Sequence, residues 1–180
     1  MEMRQALCEC LDEMMAENEN IVVIDADLAK PNGTFPLRKK YPERAIDVGI
    51  AEQNMASVAA GMSSYGFIPF ITSFTPFASR RICDQIAISI AYAKQNVKII
   101  GSDPGISAEF NGGTHMSMED IGVLRSIPEL VIYEPVDVAQ FKQALPQIVA
   151  YEGPVYIRMF RKTIDDVFTD ANYKFDLFGA

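Results

Sequence analysis

The sequence has little of the chemistry that enzymes commonly carry on a single chain. It contains one histidine, His115, and three cysteines, Cys8, Cys10 and Cys83, which form no C-x-x-C pair. No group of acids has the spacing of a calcium loop or of a zinc-binding helix, so we do not expect the chain to hold a metal by itself. G-x-S-x-G elbows, phosphate loops and dinucleotide glycine patterns are also missing. These absences argue against self-contained metalloenzymes, hydrolases and nucleotide-binding enzymes.

Long apolar runs and basic stretches are scarce as well. No run approaches the ~18 consecutive apolar residues of a membrane span, and the first residues lack the apolar region of a signal peptide. The net charge of −8, from 24 acids and 16 bases, argues against a nucleic-acid or anionic-membrane partner. Three cysteines cannot all pair, which fits a reducing compartment. We expect a soluble, cytoplasmic protein.

Short β-branched runs alternate with helical segments over most of the 180 residues. The predicted strands are Ile21–Asp25, Ala45–Val48, Ile68–Phe74, Val97–Ser102, Val131–Tyr133 and Val155–Met159. The predicted helices are Arg4–Glu17, Glu52–Tyr65, Phe77–Ala93, Met118–Ser126 and Val138–Val149, with a shorter turn near Pro36–Tyr41. Such alternation predicts a three-layer, doubly wound α/β fold: a mostly parallel six-stranded sheet with helices on both faces.

One segment places a carboxylate at the start of a predicted buried helix. Asp47–Met55 runs from a strand end through Gly49 into a helix whose first turn carries Glu52. Residues 56–61 are small and mostly apolar, which is typical of a helix buried on most sides. The ordinary explanation of such a glutamate is a solvated carboxylate stabilised by the helix dipole. If Glu52 is buried instead, it needs a partner, because an unpaired buried acid is energetically costly.

Three further loops carry polar or aromatic residues directly after predicted strands. They contain Ala26–Leu28, Ser73–Phe77 and Asn111–His115. Ligands of α/β proteins bind just past the carboxyl ends of the strands. Phe74 and Phe77 could stack on a flat heteroaromatic ring to which Glu52 hydrogen-bonds, with His115 in a neighbouring loop. On their spacing alone, core packing is the favoured explanation of the two phenylalanines.

Together these residues resemble the pyrimidine-binding domain of transketolases and, more broadly, of thiamine-diphosphate enzymes. The similarity runs from about Arg4 to Arg161, and its most specific part is Asp47–Gln53. Ordered matches continue it: Gly61, Tyr65-Gly66, Pro69, Thr72–Phe74, Gly113–His115, Glu119-Asp120 and Leu124–Pro128. The resemblance implies the thiamine-diphosphate-binding fold.

The resemblance also implies roles for individual residues. In the family, the glutamate matched by Glu52 hydrogen-bonds to a ring nitrogen of thiamine diphosphate and promotes the proton transfer that activates this cofactor. Phe74 and Phe77 would flank the pyrimidine ring, and Asp27 would approach the middle of the cofactor. His115 would hydrogen-bond substrate hydroxyls, so that Glu52 and His115 are the expected catalytic residues.

Sugar-phosphate substrates need a cationic anchor in this acidic protein. The resemblance points to Arg4 and Arg161, for both of which a surface salt bridge is the alternative explanation. Asn111, which stands where the family has an acid in the histidine loop, is also expected to bind substrate. Arg80 replaces an aromatic residue of the family, and a further family histidine aligns near Ser102–Pro104. These departures bear on donor and acceptor specificity.

In the family, a separate domain normally holds the cofactor diphosphate, through magnesium or calcium, and this sequence shows no match to that domain. We therefore expect residues 1–161 to form the pyrimidine-binding domain and residues 162–180 to be a linker toward an absent C-terminal domain. The chain would then be inactive alone. It would be one subunit of a split transketolase, homodimeric through the Glu52 helix and paired with a diphosphate-binding subunit.

The expected activity is transfer of a two-carbon ketol unit between sugar phosphates. Two alternatives share the Gly-Ile-Ala-Glu-Gln motif at residues 49–53: a deoxyxylulose-phosphate synthase and a 2-oxoacid dehydrogenase β-subunit. An alternative of another class is a non-catalytic dimerisation or regulatory module.

Overall fold

Six parallel strands form one sheet in the computed structural model, which describes residues 1–179. The strands are β1 (Ile21–Asp25), β2 (Ala45–Asp47), β3 (Ile68–Phe74), β4 (Lys98–Ser102), β5 (Val131–Tyr133) and β6 (Val155–Met159). Their order across the sheet is β2-β1-β3-β4-β6-β5, and every neighbouring pair is parallel. The predicted doubly wound α/β fold is confirmed.

The strands form where the sequence has short runs of apolar, mostly β-branched residues. β1 and β4 are buried along their whole length, and in β3 only Ile68 at the start is partly exposed. Strands covered by helices on both faces need such continuous runs. Four of the six predicted strands have the observed bounds, and the other two differ by one residue at one end.

Helices cover both faces of the sheet and build an apolar cluster on each. The helices α1 (Met3–Glu17) and α6 (Val138–Ala150) pack together on one face. The helix α4 (Glu52–Ser63) and a π-helix (Gln85–Tyr92) cover the other. The short elements are α2 (Ala29–Asn32), α3 (Phe35–Lys40), α5 (Asp120–Leu124) and two 3₁₀ turns, Arg80–Ile82 and Glu109–Asn111. Within residues 1–179, no helix is long and apolar enough to cross a membrane.

The continuous helix predicted for Phe77–Ala93 is wrong. The chain instead makes the 3₁₀ turn Arg80–Ile82 and then the π-helix. The apolar residues Ile82, Ile86 and Ile90 recur every four positions and are fully buried. That spacing suits an α-helix and a wider winding alike, so periodicity could not distinguish the two. The helix predicted for Met118–Ser126 is shorter in the structure, where α5 spans only Asp120–Leu124. The short helix α2 was not predicted.

Residues 162–179 lie along α6 and contact its side chains. The amide oxygen of Gln143 accepts a hydrogen bond from the Phe175 backbone N–H at 2.8 Å, and that of Gln147 accepts one from Leu177 at 2.9 Å. The Phe175 ring packs against Tyr133 with centroids 5.5 Å apart. This segment is therefore attached to the domain over its described length, while the division at residue 161 remains a prediction. The last residue of the predicted linker, Ala180, lies outside the described residues.

Candidate active site

The loops that follow the parallel strands meet at the carboxyl edge of the sheet, and Glu52 lies there at the first position of α4. The turn before it is shaped by Asp47, whose Oδ1 accepts a hydrogen bond from the Gly49 N–H at 2.7 Å. Gly49 has φ +73°, a conformation that favours glycine. The other Asp47 oxygen, Oδ2, is 2.8 Å from Arg38 Nη2. This arrangement fixes the direction in which the chain enters α4 and so the position of Glu52.

Glu52 is buried, with 4% of its surface exposed. Its Oε1 accepts a hydrogen bond from Arg81 Nη1 at 2.6 Å. The partner that a buried acid requires is therefore an arginine that extends from the 3₁₀ turn after β3. Sequence reasoning missed Arg81, since it considered only its neighbour Arg80, which pairs with Glu119 at 2.7 Å.

Three aromatic rings form a cluster beside this ion pair. Phe74 ends β3, Phe77 follows it by three residues, and His115 comes from the loop after β4. The ring centroids are 6.3 Å apart for the two phenylalanines, 5.4 Å for Phe74 and His115, and 5.2 Å for Phe77 and His115. All three pairs are edge-to-face, the geometry that aromatic quadrupoles favour. We refer to Phe74, Phe77 and His115 as the aromatic trio.

Two guanidinium groups lie over this trio. The guanidinium carbon of Arg81 is 3.9 Å from the Phe77 centroid, and that of Arg161 is 5.0 Å from the Phe74 centroid. Arg161 also forms an ion pair with Asp103, which is 1% exposed. Burial raises the pKa of Asp103, and Arg161 partly opposes that shift. The structure thus brings Arg161, predicted as a substrate anchor, next to the trio.

A layer of buried polar side chains lies beneath the site, where β1, β3 and β4 end. Asp25 Oδ2 accepts a hydrogen bond from Thr34 at 2.8 Å, and its Oδ1 accepts one from Thr72. Ser102 donates to the Asn32 amide oxygen at 2.7 Å. Burial raises the pKa of Asp25 to about 6, against the two threonine hydrogen bonds that lower it. Sequence reasoning missed this layer because polar residues within apolar runs are not distinguished by periodicity.

The other predicted site residues lie apart from the trio. Asp27 is exposed at the end of β1, with φ +60°, and its N–H donates to Asp47 at 3.1 Å. Arg4, on α1, pairs with Glu2 at 2.7 Å and donates to the Pro31 carbonyl at 3.3 Å. Asn111 is exposed in the second 3₁₀ turn. Over the described part of the chain, no hydrogen bond or ion pair joins Arg4 or Asn111 to Glu52 or the trio.

The family description "Transketolase, pyrimidine binding domain" matches residues 1–165. The chain belongs to this family. Membership agrees with the resemblance based on Asp47–Gln53 and the Gly113–His115 loop. Among residues 1–179, no group of three or more potential ligands could hold a metal ion.

Relatives of this transketolase domain include proteins named as transketolase subunits. A 6-deoxy-6-sulfo-D-fructose transketolase subunit from a Clostridium species is 54% identical over 160 residues, which cover 89% of this chain and 50% of that protein. One of the subunits of an apulose-4-phosphate transketolase from Phocaeicola vulgatus is 30% identical, over 97% of this chain and 56% of that protein. The chain therefore spans about half the length of the curated relatives that it matches.

A solved structure shares the fold over nearly the whole transketolase domain. It is described as a split-gene transketolase in the form of an inactive tetramer of β chains. It is 39% identical, has a TM-score of 0.85, and is matched over 98% of this chain and 56% of its own. The six-stranded architecture is thus that of transketolase pyrimidine-binding domains.

Proposed function

We propose that this chain supplies the pyrimidine-binding part of a thiamine-diphosphate-dependent transketolase. Paired with a diphosphate-binding subunit or domain, it transfers a two-carbon ketol unit between anionic sugars. Family membership supports the cofactor and the class of reaction. The single observation that carries the proposal is the buried Glu52 carboxylate beside the aromatic trio.

The residues present fit the aminopyrimidine end of the cofactor. A flat ring with nitrogen atoms at its edge needs an aromatic face to lie on and a carboxylate in its plane, and Phe77 and Glu52 provide these two groups. The flat guanidinium of Arg81 already contacts both, at 3.9 Å and 2.6 Å. Glu52 would bind a ring nitrogen, Phe74 and Phe77 would flank the ring, and Asp27 would approach the middle of the cofactor. The bound cofactor supplies the nucleophilic carbon and stores the electrons of the broken carbon–carbon bond.

Substrate would bind over the trio, between His115 and Arg161. His115 would donate to sugar hydroxyls, and Arg161 would attract the anionic end of the sugar; Arg4 and Asn111 are more distant candidates for the same substrate. Relatives act on a sulfonated ketose and on a phosphorylated ketose, as their names state. We infer an anionic ketose as donor, carrying either a phosphate or a sulfonate group.

The chain would work only as part of an assembly. Its metal, magnesium or calcium, would be bound with the cofactor diphosphate by the partner. The similar split-gene structure is described as inactive when it contains only β chains. We propose the same for this chain: inactive alone, homodimeric through α4, and active in the cytoplasm with a diphosphate-binding subunit.

The test is a pull-down of the tagged chain from its source cell, followed by an assay of the eluate with magnesium and thiamine diphosphate. Xylulose 5-phosphate, 6-deoxy-6-sulfofructose and apulose 4-phosphate are offered as donors, with ribose 5-phosphate as acceptor. Recovery of a second chain together with two-carbon transfer supports the proposal. Glu52→Gln should abolish turnover without unfolding the protein. The control is Glu19→Gln, which changes an exposed glutamate at the amino ends of the strands, just before β1, and should leave turnover unchanged.

Two results would redirect the assignment. Turnover of pyruvate, but of none of the sugars, would favour a deoxyxylulose-phosphate synthase or a 2-oxoacid dehydrogenase β-subunit. Recovery of the chain as a homodimer without partner or activity would favour a non-catalytic module. Full activity in Glu52→Gln would refute the catalytic proposal.

A further inference from the structure

Arg81 makes the two contacts that the site offers to a flat ring. Its guanidinium carbon is 3.9 Å from the Phe77 centroid, and its Nη1 is 2.6 Å from Glu52 Oε1. A guanidinium is planar and donates hydrogen bonds within its plane. An aminopyrimidine is also planar and forms its hydrogen bonds in the ring plane; its ring nitrogen, once protonated, donates to a carboxylate as the guanidinium does. The arginine side chain therefore uses both the aromatic face and the carboxylate that such a ring would need.

The two members of the ion pair differ in how deeply they lie. The Glu52 side chain is 5% exposed, whereas the Arg81 side chain is 43% exposed. The carboxylate belongs to the protein interior, and the guanidinium reaches it from solvent. Backbone groups hold the base of the arginine: the Arg81 N–H donates to the Pro76 carbonyl at 3.2 Å, and its carbonyl accepts from the Gln53 amide at 3.3 Å. The side chain can thus leave into solvent while its backbone remains in place.

We propose that Arg81 is a displaceable substitute for the cofactor ring. In the cofactor-free chain it neutralises the buried Glu52 carboxylate and covers Phe77. The ring binds only after the guanidinium has moved out, because both cannot lie on Phe77 and hydrogen-bond to Glu52 together. This inference rests on the proposed function and adds to it a residue that sets cofactor affinity. When Arg81 occupies the site in part of the molecules, the apparent affinity for the cofactor equals the intrinsic affinity multiplied by the fraction of molecules in which the site is free.

The neighbouring arginine provides a matched control. Arg80 has the same charge, belongs to the same 3₁₀ turn and is 51% exposed in its side chain. It pairs with Glu119 at 2.7 Å and not with Glu52. Arg80→Ala therefore removes one positive charge from the same part of the surface without freeing the carboxylate.

The experiment measures thiamine diphosphate binding by titration calorimetry, with magnesium, to the complete assembly recovered in the pull-down and stripped of cofactor. Arg81→Ala should bind about 3- to 5-fold more tightly than the parent, the range expected when a partly exposed ion pair no longer competes. Arg80→Ala should match the parent. Arg81→Lys keeps the charge but loses the plane, so its affinity should fall between those of the parent and Arg81→Ala.

The outcomes separate this inference from the function on which it rests. If the parent binds thiamine diphosphate and Arg81→Ala binds it with unchanged or weaker affinity, the inference that Arg81 takes the place of the cofactor ring is overturned. The proposed function is not affected by that result. If Arg81→Ala does not fold, Arg81→Gln is compared in its place, and the same criterion applies. A parent assembly that binds no thiamine diphosphate would refute the proposed function and this inference together.

Discussion

Replacing Asp25 by asparagine should remove a pH dependence of stability that this one carboxyl creates. Asp25 is 1% exposed at the end of β1, and its oxygens accept hydrogen bonds from Thr34 and Thr72. Within residues 1–179 it forms no ion pair, although Arg38 and Asp47 lie close enough to affect it in opposite directions. Burial dominates and raises its pKa from 3.8 to about 6. Asparagine has nearly the same shape and carries no charge.

The sign of the effect follows from proton binding in the two states. Between about pH 4 and pH 6 the folded chain keeps the Asp25 proton while the unfolded chain loses it, so the folded state binds more protons. Stability from this group therefore falls as the pH rises through that window. A pKa difference of about 2 units, at about 1.4 kcal/mol per unit, amounts to roughly 3 kcal/mol.

Urea unfolding followed by circular dichroism at pH 4, 5, 6 and 7 measures this difference. The free energy of unfolding of Asp25→Asn relative to the parent should increase by roughly 3 kcal/mol between pH 4 and pH 7. The matched control is Asp165→Asn, which changes an exposed carboxyl of the C-terminal segment and should show a far smaller change. A difference between Asp25→Asn and the parent that stays constant with pH would refute the reasoning.

Three other perturbations have defined outcomes. Burial lowers the pKa of Lys98 to about 7, so the unfolded chain binds more protons between pH 7 and pH 10; stability should rise there by up to about 1.4 kcal/mol per pH unit, and in urea unfolding Lys98→Met should lose this slope. Gly101→Ala would put a Cβ against the Tyr156 hydroxyl and should cost about 1–3 kcal/mol in thermal unfolding. In the double variant Gly101→Ala/Tyr156→Phe, part of that stability should be restored, because the hydroxyl that the Cβ meets is gone. If the stability losses of the two single variants simply add in the double variant, the predicted steric clash is contradicted. Gly33 has φ +87°, and a Cβ there would lie 2.6 Å from the Arg4 carbonyl oxygen, so Gly33→Ala should lower the free energy of unfolding by about 3 kcal/mol. The control Gly122→Ala, whose Cβ would meet no atom within 4 Å, should be neutral or stabilising.

The strands were predictable because their local chemistry and their final environment agree. Ile21–Asp25 and Ile68–Phe74 are apolar runs ended by turn residues, and the structure covers both of their faces, as such runs require. The segment after Phe77 was not predictable in the same way. Its winding depends on hydrogen-bond pairing along the backbone, to which the spacing of Ile82, Ile86 and Ile90 is nearly insensitive.

For the candidate site, position along the chain was more informative than contact partners. Glu52 follows β2, Phe74 and Phe77 lie at and just after the end of β3, and His115 follows β4. Parallel topology alone predicts that residues in these positions meet at the carboxyl ends of the strands. The partner of Glu52 was not predictable, because Arg80 and Arg81 are adjacent and both plausible in sequence. Only the turn geometry directs Arg81 inward and Arg80 toward Glu119. The roles of these residues remain predictions until the proposed variants are measured.

The two outermost strands of the sheet bear on how this chain would join the assembly proposed above. The outermost strands, β2 and β5, are each three residues long. So short an edge offers few free backbone groups for pairing with a strand of another chain. The assembly proposed above would therefore use helix faces and loops, whose side chains can separate and rejoin while the sheet stays whole. Subunits joined in this way would be exchanged and reconstituted without partial unfolding or aggregation of the strands.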